Sequence, residues 1–324
     1  MIRLRHIPVG LIATCTALTV TACSGGGETL AAPPSAAPTT GLYVAAQYPA
    51  SSLTTYPNVA YSTRPNAAGQ YTSQRTETME RTQPSLTMRM DIVVPPNATA
   101  TSRQPLLVFV HGGGFIAGDK SDFYPEVESY ARAGYVTATI NYRLTRGNGT
   151  SDTIRTTAVL HATEDAMNAV RFLRANAARY GIDPTRVVSI GSSAGGAVSL
   201  MLGLQPDDAR ARSDFAGVTA RVNGAVSTGA SLQGGDSDID ALITFDRADS
   251  PVLLYHAREV DSGSGRTWSG NVLATQQRIN ASGNSCMVVP QPNMTHTVEL
   301  VMGNEYWPPM REFLWTQLRL AELR

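Results

Sequence analysis

The segment Val187-Val188-Ser189-Ile190-Gly191-Ser192-Ser193-Ala194-Gly195-Gly196 decides the fold of this chain. Its apolar, β-branched start predicts a buried strand, and the small residues at 197–202 predict a helix directly after it. Between them lies Gly-x-Ser-x-Gly, centred on Ser193, because only this serine has a glycine two residues away on each side. A strand–turn–helix connection of this kind presents a serine hydroxyl at the carboxyl end of the strand. The stretch therefore predicts a nucleophilic Ser193; the alternative is a glycine-rich turn that packs a helix closely on a sheet.

A second glycine-rich segment, His111-Gly112-Gly113-Gly114-Phe115, follows the apolar run at 106–110. Three glycines directly after a buried strand allow the backbone to turn its N–H groups toward a ligand. Acyl transfer requires such donors, aimed at the oxygen that becomes negative in the tetrahedral intermediate. The N–H groups of Gly113 and Gly114, with that of Ala194 after the serine, form the predicted oxyanion hole.

Composition and spacing argue against nucleotides and nucleic acids. The chain has 26 Lys and Arg against 26 Asp and Glu, and no basic block or aromatic–basic stripe. A phosphate-binding loop fails because Asp119 stands where its lysine must directly follow glycine. A dinucleotide-binding turn fails because Ala117 occupies the position of its third glycine. We therefore expect no nucleic acid partner and no nucleotide cofactor.

The first 22 residues are expected to be a signal peptide rather than part of the fold. Arg3 and Arg5 precede an apolar stretch that is too short to span a bilayer. The stretch ends in Val20-Thr21-Ala22-Cys23, which resembles a bacterial lipobox. That resemblance implies cleavage before Cys23, a lipid on its thiol, and an extracytoplasmic protein anchored to a membrane of the bacterial cell envelope. An ordinary signal peptide with an incidental Cys23 is the alternative.

Residues 23–75 are predicted to be a tether and a poorly defined N-terminal segment. The first part consists almost entirely of Gly, Ala, Pro, Ser and Thr, a composition that cannot bury a core. Residues 41–75 carry scattered tyrosines without a clear period, and either drape over the domain or form part of a lid. Residues 76–324 alternate between strand-like and helix-like patterns. They predict one α/β domain, with a mostly parallel twisted sheet and helices on both faces.

Several further motifs carry a family resemblance. They are Gly118-Asp119-Lys120, Asn141-Tyr142-Arg143-Leu144, Glu164-Asp165-Ala166 and Tyr180-Gly181-Ile182-Asp183-Pro184, in addition to the two glycine-rich segments. In this order they resemble an α/β-hydrolase of the esterase/lipase branch, which includes hormone-sensitive-lipase-like and bacterial feruloyl-esterase-like enzymes. The resemblance covers roughly residues 86–320. Two residues depart from the pattern. They are Phe115, where the feruloyl-esterase-like group often has tryptophan, and Ser192, and neither takes part in the predicted chemistry.

The resemblance implies an acid and a histidine after the serine, in that order. Pro251–Ala257 looks like the strand and turn that precede the acid, but the usual acid position is Val260. Asp261 is preferred because a Ser/Gly loop follows it, and Glu259 stays open. His296, in a polar loop after a short strand, is the predicted general base.

These residues together predict a serine hydrolase that cleaves carboxylic esters through a Ser193-His296-Asp261 triad and an acyl-enzyme. No metal or organic cofactor is expected, since no pair of histidines has metal-ligand spacing. The short segment before Pro251 indicates that no large lid is inserted, which suits a short-chain, small-molecule ester or ester side groups on a polymer. Two alternatives remain open: an amide hydrolase (arylformamidase or peptidase-like) with the same triad, and a non-catalytic surface binding lipoprotein.

Overall fold

A twisted sheet of eight strands forms the centre of the computed structural model, which describes residues 36–66, 69–74, 78–145, 152–207, 211–232 and 243–323. The members of this sheet are Thr54–Pro65 (β1), Ser85–Val94 (β3), Gln104–Val110 (β4), Val136–Ile140 (β5), Ile182–Ser192 (β7), Gly224–Thr228 (β8), Val252–Ala257 (β9) and Cys286–Gln291 (β10). Their order is β1-β3-β5-β4-β7-β8-β9-β10. β1 and β3 pair antiparallel with their neighbours, and the remaining neighbours in this order pair parallel.

The central strands are buried along their whole length because helices cover both faces of the sheet. Every residue of β4, β5, β8 and β9 is buried. A strand buried on both sides reads as a continuous apolar run rather than an alternation. Each face of the sheet contributes to its own hydrophobic cluster, and the sheet separates the two clusters. The predicted α/β fold with a mostly parallel sheet is confirmed.

Helices lie between the strands, as the connection rules for parallel strands require. They are Tyr124–Arg132 (α1), Asp152–Ala175 (α2), Ala177–Tyr180 (α3), Ala194–Leu204 (α4), Leu273–Ala281 (α5) and Trp307–Gln317 (α6). A small second sheet pairs Tyr71–Thr72 (β2) with Leu144–Thr145 (β6). In the part of the chain described here, no helix combines the length and apolar composition needed to cross a membrane.

The sheet begins well before residue 76, where the composition placed the start of the domain. β1 pairs with β3 from Thr54 to Pro65 and forms an edge of the sheet. Two register irregularities interrupt this pairing, between Tyr56 and Val59 and between Ala60 and Ser62. Each bulge shifts the alternation of inward and outward side chains, which explains why the segment shows no period in sequence. The boundary at 76 therefore needs correction, and β1 belongs to the domain.

Candidate active site

Ser193 lies between β7 and α4 in a strained backbone conformation. Its φ is 52° and its ψ is −118°, a region that residues other than glycine seldom adopt. Its backbone N–H donates to the carbonyl of Thr228 at 2.8 Å, which ties the turn to β8. A Cβ on Gly191 would collide with the carbonyl of Gly195, and one on Gly195 with that of Val110. The sequence of small residues is therefore what lets the turn close and hold the serine above the strand end.

Ser193, His296 and Asp261 come together although up to 103 residues separate them in sequence. The Nε2 atom of His296 lies 2.8 Å from Ser193 Oγ. Its Nδ1 lies 2.8 and 2.9 Å from the two carboxylate oxygens of Asp261. Since Asp261 can only accept when ionised, Nδ1 carries the proton and Nε2 is left to accept from the serine hydroxyl. The arrangement can therefore remove the proton from Ser193 during nucleophilic attack.

Asp261 is fully buried, whereas the His296 side chain is 30% exposed. The backbone N–H and the hydroxyl of Ser264 donate to Asp261 Oδ1 at 2.6 and 2.7 Å. Burial by itself raises the pKa of Asp261, but the hydrogen bonds from His296 and Ser264 outweigh it and leave the pKa below its ordinary value. The carboxylate is thus held ionised beside the imidazole, where it can stabilise an imidazolium.

Glu259, the other candidate acid, does not reach the histidine ring. Its carboxylate accepts from the side-chain amide of Asn293 at 3.1 Å in an exposed position. The backbone N–H and carbonyl of Val260 bond to Asn293 and Met294, respectively. In this arrangement Asp261, and not Glu259, lies behind His296.

The loop that follows β4 lies directly against the serine turn. An ideal Cβ on Gly112 would be 3.2 Å from Ser193 Cβ. Gly113 and Gly114 have φ values of 108° and 61°, in the left-handed region that favours glycine. Across the described residues, the backbone N–H groups of Gly113, Gly114 and Ala194 donate to no protein acceptor. The three predicted oxyanion donors are thus available to a ligand beside Ser193.

A buried ion pair supports this loop, and sequence reasoning did not identify its role. Lys120 Nζ lies 2.8 Å from Asp91 on β3, and both side chains are buried. The hydroxyl of Tyr124 also donates to Asp91. The backbone N–H of Lys120 donates to Asn141 Oδ1 at 2.6 Å. The Gly118-Asp119-Lys120 motif therefore fastens the loop to the sheet. In the sequence the motif is recognisable, but its structural role is not.

Thr228, at the end of β8, connects the serine turn to the histidine loop. In addition to its carbonyl bond with Ser193, its hydroxyl accepts from the backbone N–H of Val298 at 3.0 Å. It also accepts from the side-chain amide of Gln291 at 2.9 Å. No pattern in the sequence singled out this residue.

The other described histidines do not join the site. His111 is buried and stacks on Tyr142, with ring centroids 4.3 Å apart, and its Nδ1 bonds to the carbonyl of Gly112. Burial lowers the pKa of His111 and of His256. His161 lies on α2 and its Nδ1 is 2.7 Å from the hydroxyl of Tyr71. Within the described ranges, no three His, Cys, Asp or Glu side chains form a group that could hold a metal ion.

Of the two cysteines Cys23 and Cys286, the structure describes only Cys286. Cys23, the predicted lipidation site, lies outside the described residues, as does the predicted signal peptide. Cys286 is a buried free thiol on β10. Burial raises its pKa to about 12, so it is protonated at neutral pH and unsuited to nucleophilic chemistry.

Parts of this chain are similar to a known protein family and to known esterases. The family model BD-FAE matches residues 90–233. The probable carboxylic ester hydrolase LipM of Mycobacterium tuberculosis is 30% identical over 138 residues, which are 42% of this chain and 30% of LipM. Carboxylesterase 1C of Rattus norvegicus is 34% identical over 117 residues, 36% of this chain and 21% of that protein. The chain thus matches less than a third of the length of these relatives.

A solved structure covers more of the chain. Esterase 2 of Thermogutta terrifontis, phosphorylated by paraoxon, aligns with 80% of this chain and 95% of its own, with a TM-score of 0.57 and 19% sequence identity. At this level of identity the likeness shows the fold. The chain therefore has the α/β-hydrolase fold, and over the residues matched by sequence it is similar to carboxylic ester hydrolases.

Proposed function

We propose that this chain is a serine hydrolase that cleaves carboxylic esters through a covalent acyl-enzyme. The observation that carries the proposal is the continuous hydrogen-bonded path from Ser193 through His296 to Asp261. It lies beside Gly113 and Gly114, whose backbone N–H groups donate to no acceptor among the described residues. The similarity to LipM and to the rat carboxylesterase supports the same reaction class.

In the first half of the reaction, Ser193 Oγ attacks the ester carbonyl while His296 Nε2 takes the hydroxyl proton. The carbonyl oxygen becomes an oxyanion, which the N–H groups of Gly113, Gly114 and Ala194 stabilise. His296 then returns the proton to the alkoxide as the C–O bond breaks, and the alcohol leaves. Asp261 keeps the imidazole in the required tautomer and stabilises its protonated form throughout.

In the second half, a water molecule takes the place of the alcohol. His296 removes a proton from the water as its oxygen attacks the acyl-enzyme, and the same N–H groups stabilise the second tetrahedral intermediate. Return of the proton to Ser193 Oγ releases the carboxylic acid. Every proton is handled by one histidine, so the described residues account for the whole cycle.

The test compares two adjacent serines. Ser193→Ala should abolish hydrolysis of p-nitrophenyl acetate and labelling by a fluorophosphonate, whereas Ser192→Ala should keep most of both. A matched anilide, measured alongside, tests the amide-hydrolase alternative, because the same triad would then cleave it at a comparable kcat/KM. The proposal fails if the wild-type protein is neither labelled nor active, or if the two serine variants behave in the opposite way.

For the substrate, we propose a small-molecule ester or ester side groups on a polymer. The basis is the short connection from β8 to β9, at 229–251, which leaves little chain for an inserted lid; part of it lies outside the described residues. A chain-length series of acyl esters tests this. We expect kcat/KM to fall for long acyl chains, and a steady increase up to long chains would contradict it.

We also propose that the mature protein begins at a lipidated Cys23 and is anchored to a membrane of the cell envelope, facing away from the cytoplasm. The support is the lipobox-like Val20-Thr21-Ala22-Cys23 and the tether after it, in which Glu28 is the one charged residue up to residue 40. In a bacterial host, labelled palmitate should enter the wild-type protein and not Cys23→Ser. Equal labelling of the two would refute the anchor.

A further inference from the structure

Several exposed apolar side chains lie close in sequence to the proposed site residues. In the described part of the chain, six large apolar residues are exposed, and three of these lie within three positions of a proposed site residue. Ile116 follows the oxyanion loop, Val260 precedes Asp261, and Met294 precedes His296 by two positions. Val260 and Met294 are also neighbours in space, because the N–H of Met294 donates to the carbonyl of Val260 at 3.0 Å.

Met294 is the most exposed of the six and its backbone is strained. Its side chain is 55% exposed and its φ is 65°. A long side chain in the left-handed region costs free energy that glycine or asparagine would avoid. An exposed methionine recovers little of that cost by burial in the folded protein. Such outliers persist at sites where a ligand contact uses the residue.

The chemistry of the reaction places one part of the substrate next to these residues. His296 Nε2 must hand its proton to the oxygen of the departing alcohol, so that oxygen has to come within hydrogen-bond distance of the ring. The Cα atoms of Met294 and His296 are at most about 7 Å apart, since two peptide units join them. At this separation the Met294 side chain is long enough to contact the carbon chain of the alcohol, while the carbonyl oxygen points toward Gly113 and Gly114.

We propose that Val260 and Met294 form a binding subsite for the alcohol portion of the ester, and that this portion is apolar. The inference rests on the proposed esterase function and adds the chemical class of the leaving group. A hydrocarbon chain laid across the two side chains would remove apolar surface from water on both partners. Esters of polar alcohols gain nothing there, so the subsite selects by the alcohol rather than by the acid.

The experiment uses acetate esters with alcohols from ethanol to hexanol, so that the acyl group stays constant. For the wild-type protein, kcat/KM should rise with the length of the alcohol. Met294→Asn should lower kcat/KM for hexyl acetate about tenfold, equivalent to about 1.4 kcal/mol, and leave ethyl acetate within about twofold. Met294→Leu, which keeps an apolar side chain, should retain the wild-type trend.

Two controls separate the subsite from a general effect on the fold. Met287→Asn changes an exposed methionine on β10 and should leave the alcohol series unchanged. Asparagine tolerates positive φ, so Met294→Asn should have a Tm equal to that of the wild type or about 2 °C higher.

The outcomes are distinct. If the wild type hydrolyses no ester, both the proposed function and the subsite are overturned. If the wild type is active but insensitive to the alcohol, the function stands and the subsite is wrong. If Met294→Asn lowers kcat/KM for every ester by one factor, Met294 acts on the position of His296, and the subsite is again overturned.

Discussion

Replacement of Asp261 by asparagine tests the proposed triad most directly. Oδ1 of Asp261 accepts two hydrogen bonds from Ser264, at 2.6 and 2.7 Å. The amide oxygen of an asparagine would keep this position, because the backbone N–H of Ser264 can only donate, and the NH2 group would face His296 Nδ1. Nδ1 would then have to accept, and the ring proton would move to Nε2, opposite Ser193 Oγ. In that tautomer the histidine cannot take the serine proton.

We expect kcat of Asp261→Asn to fall at least about a hundredfold, on the order of 3 kcal/mol of barrier. The corresponding change in a serine protease costs about four orders of magnitude. The assay is the steady-state rate on p-nitrophenyl acetate, with active sites counted by fluorophosphonate titration. Glu259→Gln is the matched control and should stay within about twofold, since its carboxylate contacts only Asn293 among the described groups. A crippling Glu259→Gln with a mild Asp261→Asn would refute the assignment.

The same variant has a signature in the pH dependence of stability. Hydrogen bonds from His296 and Ser264 outweigh burial and hold the pKa of Asp261 below its ordinary value. The unfolded chain therefore takes up this proton at a higher pH, so the carboxylate stabilises the fold at neutral pH and loses that effect as pH falls through the folded pKa. The Tm difference between the wild type and Asp261→Asn should shrink as pH is lowered from about 5 to about 3. A constant difference would contradict the lowered pKa.

Three other variants or measurements follow from contacts around the site. A Cβ on Gly263 would lie 2.5 Å from the His296 ring, so Gly263→Ala should lower kcat at least about tenfold with little change in KM; an unchanged kcat would show that the loop adapts. Lys120→Met leaves the buried Asp91 carboxylate without its cation and should cost about 3–5 kcal/mol in urea unfolding, whereas a loss below about 1 kcal/mol would mean that the pair behaves like a surface ion pair. Cys286, with a pKa raised to about 12 by burial, should react with a disulfide reagent only after unfolding, and fast reaction of the native protein would contradict its burial.

The central sheet could be predicted because its strands are buried on both faces. Residues 106–110 are a continuous apolar run, and such a run has few other structures available to it. β1 could not be predicted, because its two bulges disrupt the alternation that identifies a half-buried edge strand. Arg64, on the same strand, is fully buried beside Asp165, and a buried arginine gives no apolar signal in sequence.

The serine could be predicted from local sequence and the histidine from the order that the family resemblance implies, but the acid could not be decided. Ser193 lies in a turn that has room only for glycine at 191 and 195. Because these glycines are required, the turn can be recognised as a motif in the sequence. Glu259 and Asp261 differ only in which way a loop turns after β9. The isolated bridge between Val260 and Thr267 sets that turn. Ser264 then donates hydrogen bonds to the acid, and Gly263 leaves room for the His296 ring. No local sequence pattern predicts these contacts.

Thr228 has a mechanical consequence for the catalytic geometry. Its carbonyl holds the backbone of Ser193, and its hydroxyl holds the backbone of Val298, two residues after His296. The backbone at the nucleophile and the backbone next to the base are thus both hydrogen-bonded to the same residue at the end of β8, and not to two separate parts of the protein. When thermal motion displaces this strand, both partners travel with it, and the Oγ to Nε2 separation changes far less than either position. The sheet can therefore fluctuate with little change in the geometry of the proton transfer. The alignment of serine and histidine depends on three hydrogen bonds at one threonine rather than on rigidity of the whole domain.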